Sequence, residues 1–128
     1  KDGEDLTIIA FSAMVPKALE AAEKLETEGI NCTVIDPRTT SPLDEESIIA
    51  SAEETGRIVI VDESTPRCSI ASDISSIIAE KAFKSLKAPI RKVTTSHTPV
   101  PFSPALEQAY LPQVDDILGA CREVLGSN

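Results

Sequence analysis

Apolar positions along this chain follow two alternating rhythms. Short runs rich in β-branched side chains occur at Leu6-Thr7-Ile8-Ile9-Ala10-Phe11, Cys32-Thr33-Val34-Ile35, Arg57-Ile58-Val59-Ile60-Val61 and Ile90-Arg91-Lys92-Val93-Thr94. Such runs predict β-strands. Between them, apolar residues recur every three or four positions, which predicts helices. Met14 to Glu28 carries Val15, Ala18, Leu19, Ala22 and Leu25 as one stripe, with Lys17, Glu20, Glu23 and Lys24 opposite. Glu20 and Lys24 are ordered for an i,i+4 pair, and Gly29 supplies the stop. Asp44 caps a second helix that runs to about Glu54, with Ile48, Ile49 and Ala52 inward and Gly56 at its end. A third helix spans Ser69 to Phe83, with Ile70, Ile74, Ile77, Ile78 and Ala82 as its apolar stripe. Pro112 opens a last helix with Val114, Ile117, Leu118, Cys121 and Leu125 inward.

This alternation implies an α/β fold: a three-layer, mostly parallel sheet of four to five strands with helices on both faces. Arg91 and Lys92 place the fourth strand at an edge. The domain is expected over residues 6–126, with Lys1-Asp2-Gly3-Glu4-Asp5 as a linker remnant continuing from chain upstream. Between Thr95 and Pro104, the prolines Pro99, Pro101 and Pro104 predict an extended segment without regular structure. Composition agrees with buried strands. The hydrophobic fraction is 41%, yet Trp is absent and only Phe11, Phe83, Phe102 and Tyr110 are aromatic, so Ile, Val, Leu and Ala must build the core.

Charge narrows the partners. A formal net charge of -9 argues against nucleic acid and against an anionic membrane surface. No apolar stretch is long enough to span a bilayer. The spacings of Cys32, Cys68 and Cys121 fit neither a zinc site nor a redox motif. Cys32 and Cys121 read as small buried hydrophobes. An odd cysteine count without a signal peptide fits a reducing, cytoplasmic setting.

A search for chemistry finds little. No glycine follows the first strand, where a phosphate-binding turn would need one. Asp36, Asp62 and Glu63 fall at the carboxyl edge of the expected sheet, where they could hold magnesium or be neutralised by Arg38 and Arg67. The same cluster could hold a small organic anion in a stand-alone or regulatory ligand-binding module. His97 is the only histidine and has no nucleophile elbow beside it. Cys68 lies where a helix N-terminus could lower its pKa, or where it merely precedes a cap. The Pro-rich segment reads either as a connector or as a rigid docking arm, because prolines reduce ordering entropy and Phe102 offers an aromatic tip.

Several motifs occur in a fixed order: Asp36-Pro37-Arg38-Thr39, Pro42-Leu43-Asp44, Thr55-Gly56-Arg57, Val61-Asp62-Glu63, Ala88-Pro89-Ile90-Arg91-Lys92-Val93-Thr94, Thr98-Pro99-Val100-Pro101 and Tyr110-Leu111-Pro112. Together they resemble the transketolase-type C-terminal domain of the beta subunit of thiamine diphosphate-dependent 2-oxoacid dehydrogenases. The wording around Ile35-Asp36-Pro37-Arg38, Pro66-Arg67-Cys68 and Pro101-Phe102-Ser103-Pro104 is most similar to acetoin dehydrogenase beta subunits, with pyruvate and branched-chain enzymes close behind. The resemblance implies a domain of an oxidoreductase multienzyme complex that is inactive alone and has no catalytic, cofactor-binding or metal-binding residue of its own. Thiamine diphosphate and magnesium would sit in the full complex. The implied partners are an alpha subunit, the N-terminal part of the beta subunit, a second beta subunit in an α2β2 tetramer and the docking domain of a dihydrolipoyl acyltransferase. Arg38, Glu63, Arg67, Lys87, His97, Pro99, Pro101 and Phe102 are the expected interface residues. Relatives often carry an acidic residue before the Ala-Pro, facing a basic acyltransferase docking domain; here that position is Lys87.

Overall fold

Strand and helix alternate as the patterning requires. The computed structural model describes residues 1–126. Its elements are β1 Leu6–Ala10, α1 Met14–Thr27, β2 Cys32–Ile35, α2 Glu45–Thr55, β3 Ile58–Val61 and α3 Ile70–Lys81. A short 3-10 turn Phe83–Ser85 follows, then β4 Arg91–Val93, α4 Pro104–Tyr110 and α5 Val114–Gly126. The sheet has four strands in the order β2-β1-β3-β4, and every pairing is parallel. β4 is therefore an edge strand.

Period-two alternation sends each strand into two cores. Leu6, Ile8, Ala10, Cys32, Val34, Val59 and Val61 face α1 and α5. Ile9, Ile58 and Ile60 face α2 and α3. Both faces are covered, which is why the strands read as continuous apolar runs. On the second face Thr7 is wholly buried. Its hydroxyl lies 2.7 Å from Ser51 Oγ and 2.9 Å from Thr55 Oγ1, so a small polar knot pins α2 to β1.

Local signals explain the helix ends. Asp44 accepts from Ser47 N at 3.1 Å and caps α2, which holds its carboxyl below the usual range. Gly29 ends α1 at φ 82°. Gly29 N donates to Glu26 O at 3.0 Å and Ile30 N to Leu25 O at 3.0 Å, the paired bonds of a left-handed helix stop. Gly56 ends α2 at φ 69°. The expected Glu20–Lys24 pair forms at 2.9 Å.

Five expectations need correction. Leu19, placed in the α1 stripe, is 38% exposed, and Ala21 is buried in its stead; the stripe turns with the 3.6-residue period, away from position 19. Ile77 is only half-buried, with Ala71 taking the inward position on α3. The third helix stops at Lys81, and Phe83 belongs to the tighter turn after it. Pro112 does not open α5; the helix begins at Val114, and Asp116 reaches back to Gln113 N at 2.8 Å. Finally, Pro104 begins a helix rather than ending an irregular segment.

The exposed edge of β2 is shielded by residues 1–5. Asp5 N donates to Asn31 O at 2.9 Å and Val34 N to Lys1 O at 2.9 Å, so this segment runs antiparallel to β2. Gly3 lies so close that a Cβ there would meet Asn31 C at 2.5 Å, and its N–H donates to Thr33 Oγ1. Such cover blunts a sheet edge.

Candidate functional site

Parallel strands deliver their following loops to one end of the sheet. Three non-glycine residues there have positive φ: Ser12 (49°) after β1, Arg38 (61°) after β2 and Cys68 (49°) after β3. Strained backbone of this kind costs about 1–2 kcal/mol per residue. Its concentration at one end marks these loops as the built part of the surface.

The acidic residues at this end are used locally. Asp36 accepts from Arg38 N at 3.2 Å and pairs with Arg38 Nε at 3.5 Å. Asp62 is 5% exposed. It accepts from Ser64 N at 3.1 Å and from the Ser64 hydroxyl, closing its own turn. Glu63 and Arg67 are exposed. Among the described residues, no group of three His, Cys, Asp or Glu side chains could hold a metal ion. The convergence of Asp36, Asp62 and Glu63 on magnesium is therefore not formed. A groove does gather Phe11, Ser12, Val15, Asp36, Arg38 and Thr40, but Asp62, Glu63 and Arg67 do not line it. The expected anion cluster is split between two loops.

The thiols divide by burial. Cys32 and Cys121 are buried and Cys68 is exposed. Burial pushes the Cys32 thiol up to about 11 and the Cys121 thiol up to about 12. The helix behind Cys68 is capped by Ser69, which accepts from Ser72 N.

Beyond β4 the chain forms an arm fixed at both ends. Thr95 is buried. Its N–H and hydroxyl both reach Ser64 O, at 3.2 and 2.9 Å. At the far end Lys17 Nζ holds Pro112 O at 2.6 Å. Between these anchors, His97 and Pro99 are exposed and Pro101 is half-buried. Phe102 stands fully in solvent, with Val100 71% and Leu106 60% exposed. Ser103 caps α4 with Pro104 in its first turn, and α4 buries no residue. A seven-residue helix without a buried face has little intrinsic stability. The adjacent Ser103-Pro104 pair, a capping residue before a first-turn proline, is the sequence signal that identifies this helix. Leu106 joins the apolar surface through it.

Lys87 sits apart from the arm. Its ammonium donates to Thr55 O at 3.0 Å, at the C-terminus of α2. Arg38, Glu63 and Arg67 share the carboxyl end of the sheet with the arm, whereas Lys87 lies at the opposite end, ahead of β4.

Comparison with known proteins adds the family. Residues 1–117 match the family described as "Transketolase, C-terminal domain". The chain is 51% identical over 126 residues to the acetoin:2,6-dichlorophenolindophenol oxidoreductase subunit beta of Bacillus subtilis (strain 168), covering 98% of this chain and 37% of that one. It is 44% identical over 125 residues to the pyruvate dehydrogenase E1 component subunit beta of the same organism, covering 98% and 38%. A solved structure described as a split gene transketolase, inactive beta4 tetramer, superposes with a TM-score of 0.85 at 32% identity, over 99% of this chain and 40% of that one. The 2-oxoglutarate:ferredoxin oxidoreductase from Magnetococcus marinus superposes at 0.66 with 16% identity, over 98% of this chain and 18% of that one, a likeness of fold alone. The chain thus spans a little over a third of the length of the curated relatives it matches.

Proposed function

The chain belongs to the transketolase C-terminal domain family, and from that premise we propose that it serves as the assembly domain of the beta subunit of a thiamine-dependent dehydrogenase of acetoin or pyruvate/branched-chain type. It forms subunit contacts and helps seat the acyltransferase component, while thiamine diphosphate and magnesium are held elsewhere in the cytoplasmic complex. Residues 1–5 join it to the rest of the beta subunit.

The observation that carries this reading is the arm at 95–112. It presents Val100, Phe102 and Leu106 to solvent on a backbone fixed at both ends. Covering side chains of this size contributes about 1.5–3 kcal/mol each, and the anchors at Thr95 and Pro112 limit the entropy that the segment between them loses on docking. His97, Pro99, Pro101 and Phe102 lie on it, with Arg38, Glu63 and Arg67 at the same end of the sheet. A second beta subunit is the partner this surface fits best. The solved relative described as an inactive beta4 tetramer is a protein whose beta chains self-associate, which agrees with this reading.

The test is native mass spectrometry of the whole beta subunit mixed with its alpha subunit, with and without Phe102→Ser plus Leu106→Ser. Loss of the tetramer, with the melting midpoint of the isolated chain unchanged, is expected. An intact tetramer in the double variant would remove the arm from the interface.

A further inference from the structure

β4 ends the sheet order, with no strand beyond it among the described residues. Val93 O accepts from Asp62 N at 3.0 Å, so Val93 turns its peptide groups to β3. Alternation turns those of Lys92 and Thr94 to the open edge. That edge walls a groove of about 630 Å³, lined by Arg91, Val93 and Thr94 from the strand and by Leu111, Gly119 and Ala120 from α5 and the turn before it. Gly119 stands inside α5, where glycine is the least favourable residue after proline. Its φ is not left-handed, and no heavy atom lies within 4 Å of an added Cβ. Neither backbone geometry nor packing within the chain calls for a glycine there. The missing side chain leaves room for another backbone to approach α5.

The chain also carries a segment suited to such an edge. Residues 93–106 include no Lys, Arg, Asp or Glu, the longest such run in a chain of net charge -9. Two copies can meet through it without repulsion, whereas an acidic segment would face Asp115, Asp116 and Glu123 in the groove. Within the run, Pro99 and Pro101 alternate with Thr98, Val100 and Phe102. Extended backbone points the N–H groups of every second residue to one side. The prolines therefore leave one edge intact and strip donors from the other. Such a strand pairs on a single side and can only be outermost in a sheet. The N–H groups of Val100 and Phe102 have no acceptor among the described residues, and residues 98–102 do not line the groove of their own chain.

We infer that residues 98–102 of one beta subunit add as an outermost strand to the free edge of β4 in a second beta subunit, passing beside its Gly119, and that the exchange is reciprocal. A two-fold contact must be self-complementary. Here donor and acceptor adjoin, because Tyr110, Leu111 and Pro112 at the end of the arm line the same groove. One axis therefore forms the contact twice. In strand addition, main-chain bonds supply the affinity and spaces for alternate side chains set the register. The inference rests on the reading of the arm as a contact between beta subunits and adds where on the second subunit it lands.

The experiment uses the whole beta subunit in two tagged forms, assembled with its alpha subunit, with exposed cysteines, Cys68 among them, changed to serine. One form carries Val100→Cys and the other Gly119→Cys. Mild oxidation should join the two tags by a disulfide, while Val100→Cys against Glu53→Cys, exposed on α2, should not. For Gly119→Leu, the new Cβ meets no atom of its own chain, so the melting midpoint of the isolated chain should hold or rise. The same variant should weaken tetramer formation about tenfold or more in native mass spectrometry. Normal assembly of Gly119→Leu, absence of the disulfide between tags, or a disulfide to the alpha subunit in its place would each overturn the inference. If Phe102→Ser plus Leu106→Ser still breaks the tetramer in that event, the arm's role stands and its landing place falls. If that double variant assembles normally, the arm's role has itself failed.

Discussion

Replacing Gly56 by alanine should damage this fold far more than the same change at Gly29. Both glycines end helices with positive φ, 69° and 82°. An alanine in that region costs about 1–2 kcal/mol at either site. The surroundings differ. At Gly29 no heavy atom lies within 4 Å of an added Cβ. At Gly56 the Cβ would sit 2.5 Å from Ser85 O and 2.9 Å from Lys87 Cγ. That backbone cannot easily retreat, because Lys87 N donates to Gly56 O at 2.8 Å and Lys87 Nζ to Thr55 O at 3.0 Å. Overpacking of this kind adds about 1–3 kcal/mol. Gly56→Ala should therefore cost about 2–5 kcal/mol and Gly29→Ala about 1–2. For a domain of this size roughly 3–6 °C of melting temperature accompanies each kcal/mol. Thermal unfolding followed by circular dichroism in one buffer reads the difference. Equal midpoints for the two variants would refute the reasoning that the 3-10 turn is locked against the end of α2.

Thr7→Val keeps shape but removes the hydroxyl that joins Ser51 and Thr55; a loss of about 1–3 kcal/mol in urea unfolding is expected, and no loss would show that the knot is dispensable. With an excess of an aromatic disulfide reagent at pH 8, one thiol, Cys68, should react at once, and Cys32 and Cys121 only after unfolding, as stopped-flow absorbance can show. Burial raises the folded pKa values of Cys32 and Cys121 from 9.0 to about 11 and 12. Their contribution to stability is then complete below pH 9 and is lost as pH rises through the folded values, since the unfolded thiols release protons first. Urea unfolding from pH 8 to 11 should show that decline, and the Cys32→Ala, Cys121→Ala double variant should flatten it. The Asp44 carboxyl is depressed by Ser47, so Asp44→Ala should lower the melting midpoint at neutral pH. The gap between variant and parent should close as pH falls through the depressed value in the folded state.

The fold was largely legible because both core faces are written in apolar runs of single character. β2 matches its expected bounds, and β1, β3 and β4 shift by a residue at one or both ends. Phe11 continues the β1 run past its last paired residue, and Arg57 stands just ahead of the paired part of β3 although its carbonyl still accepts from Thr7 N at 2.8 Å. The helix stripes erred at Leu19 and Ile77, since an apolar side chain on the rim of a helix face satisfies the periodicity without reaching the core. The arm was legible only as far as its prolines. They announced rigidity, but they hid α4, where Pro104 acts as a helix starter behind Ser103. At the carboxyl end, sequence order correctly put Asp36 and Asp62 beside strand ends. It could not show that each folds back on a neighbour two residues along, because that depends on local turn geometry. Lys87 was singled out by position alone; its bond to Thr55 O needed the tertiary structure.

Amide hydrogen exchange over residues 96–110 tests the assembly reading most directly, compared between the isolated chain and the complete dehydrogenase component. The account predicts rapid exchange in the isolated chain, where α4 buries nothing, and strong protection of the same amides once beta subunits associate. Equal exchange in both states, with protection arising on some other face, would contradict it.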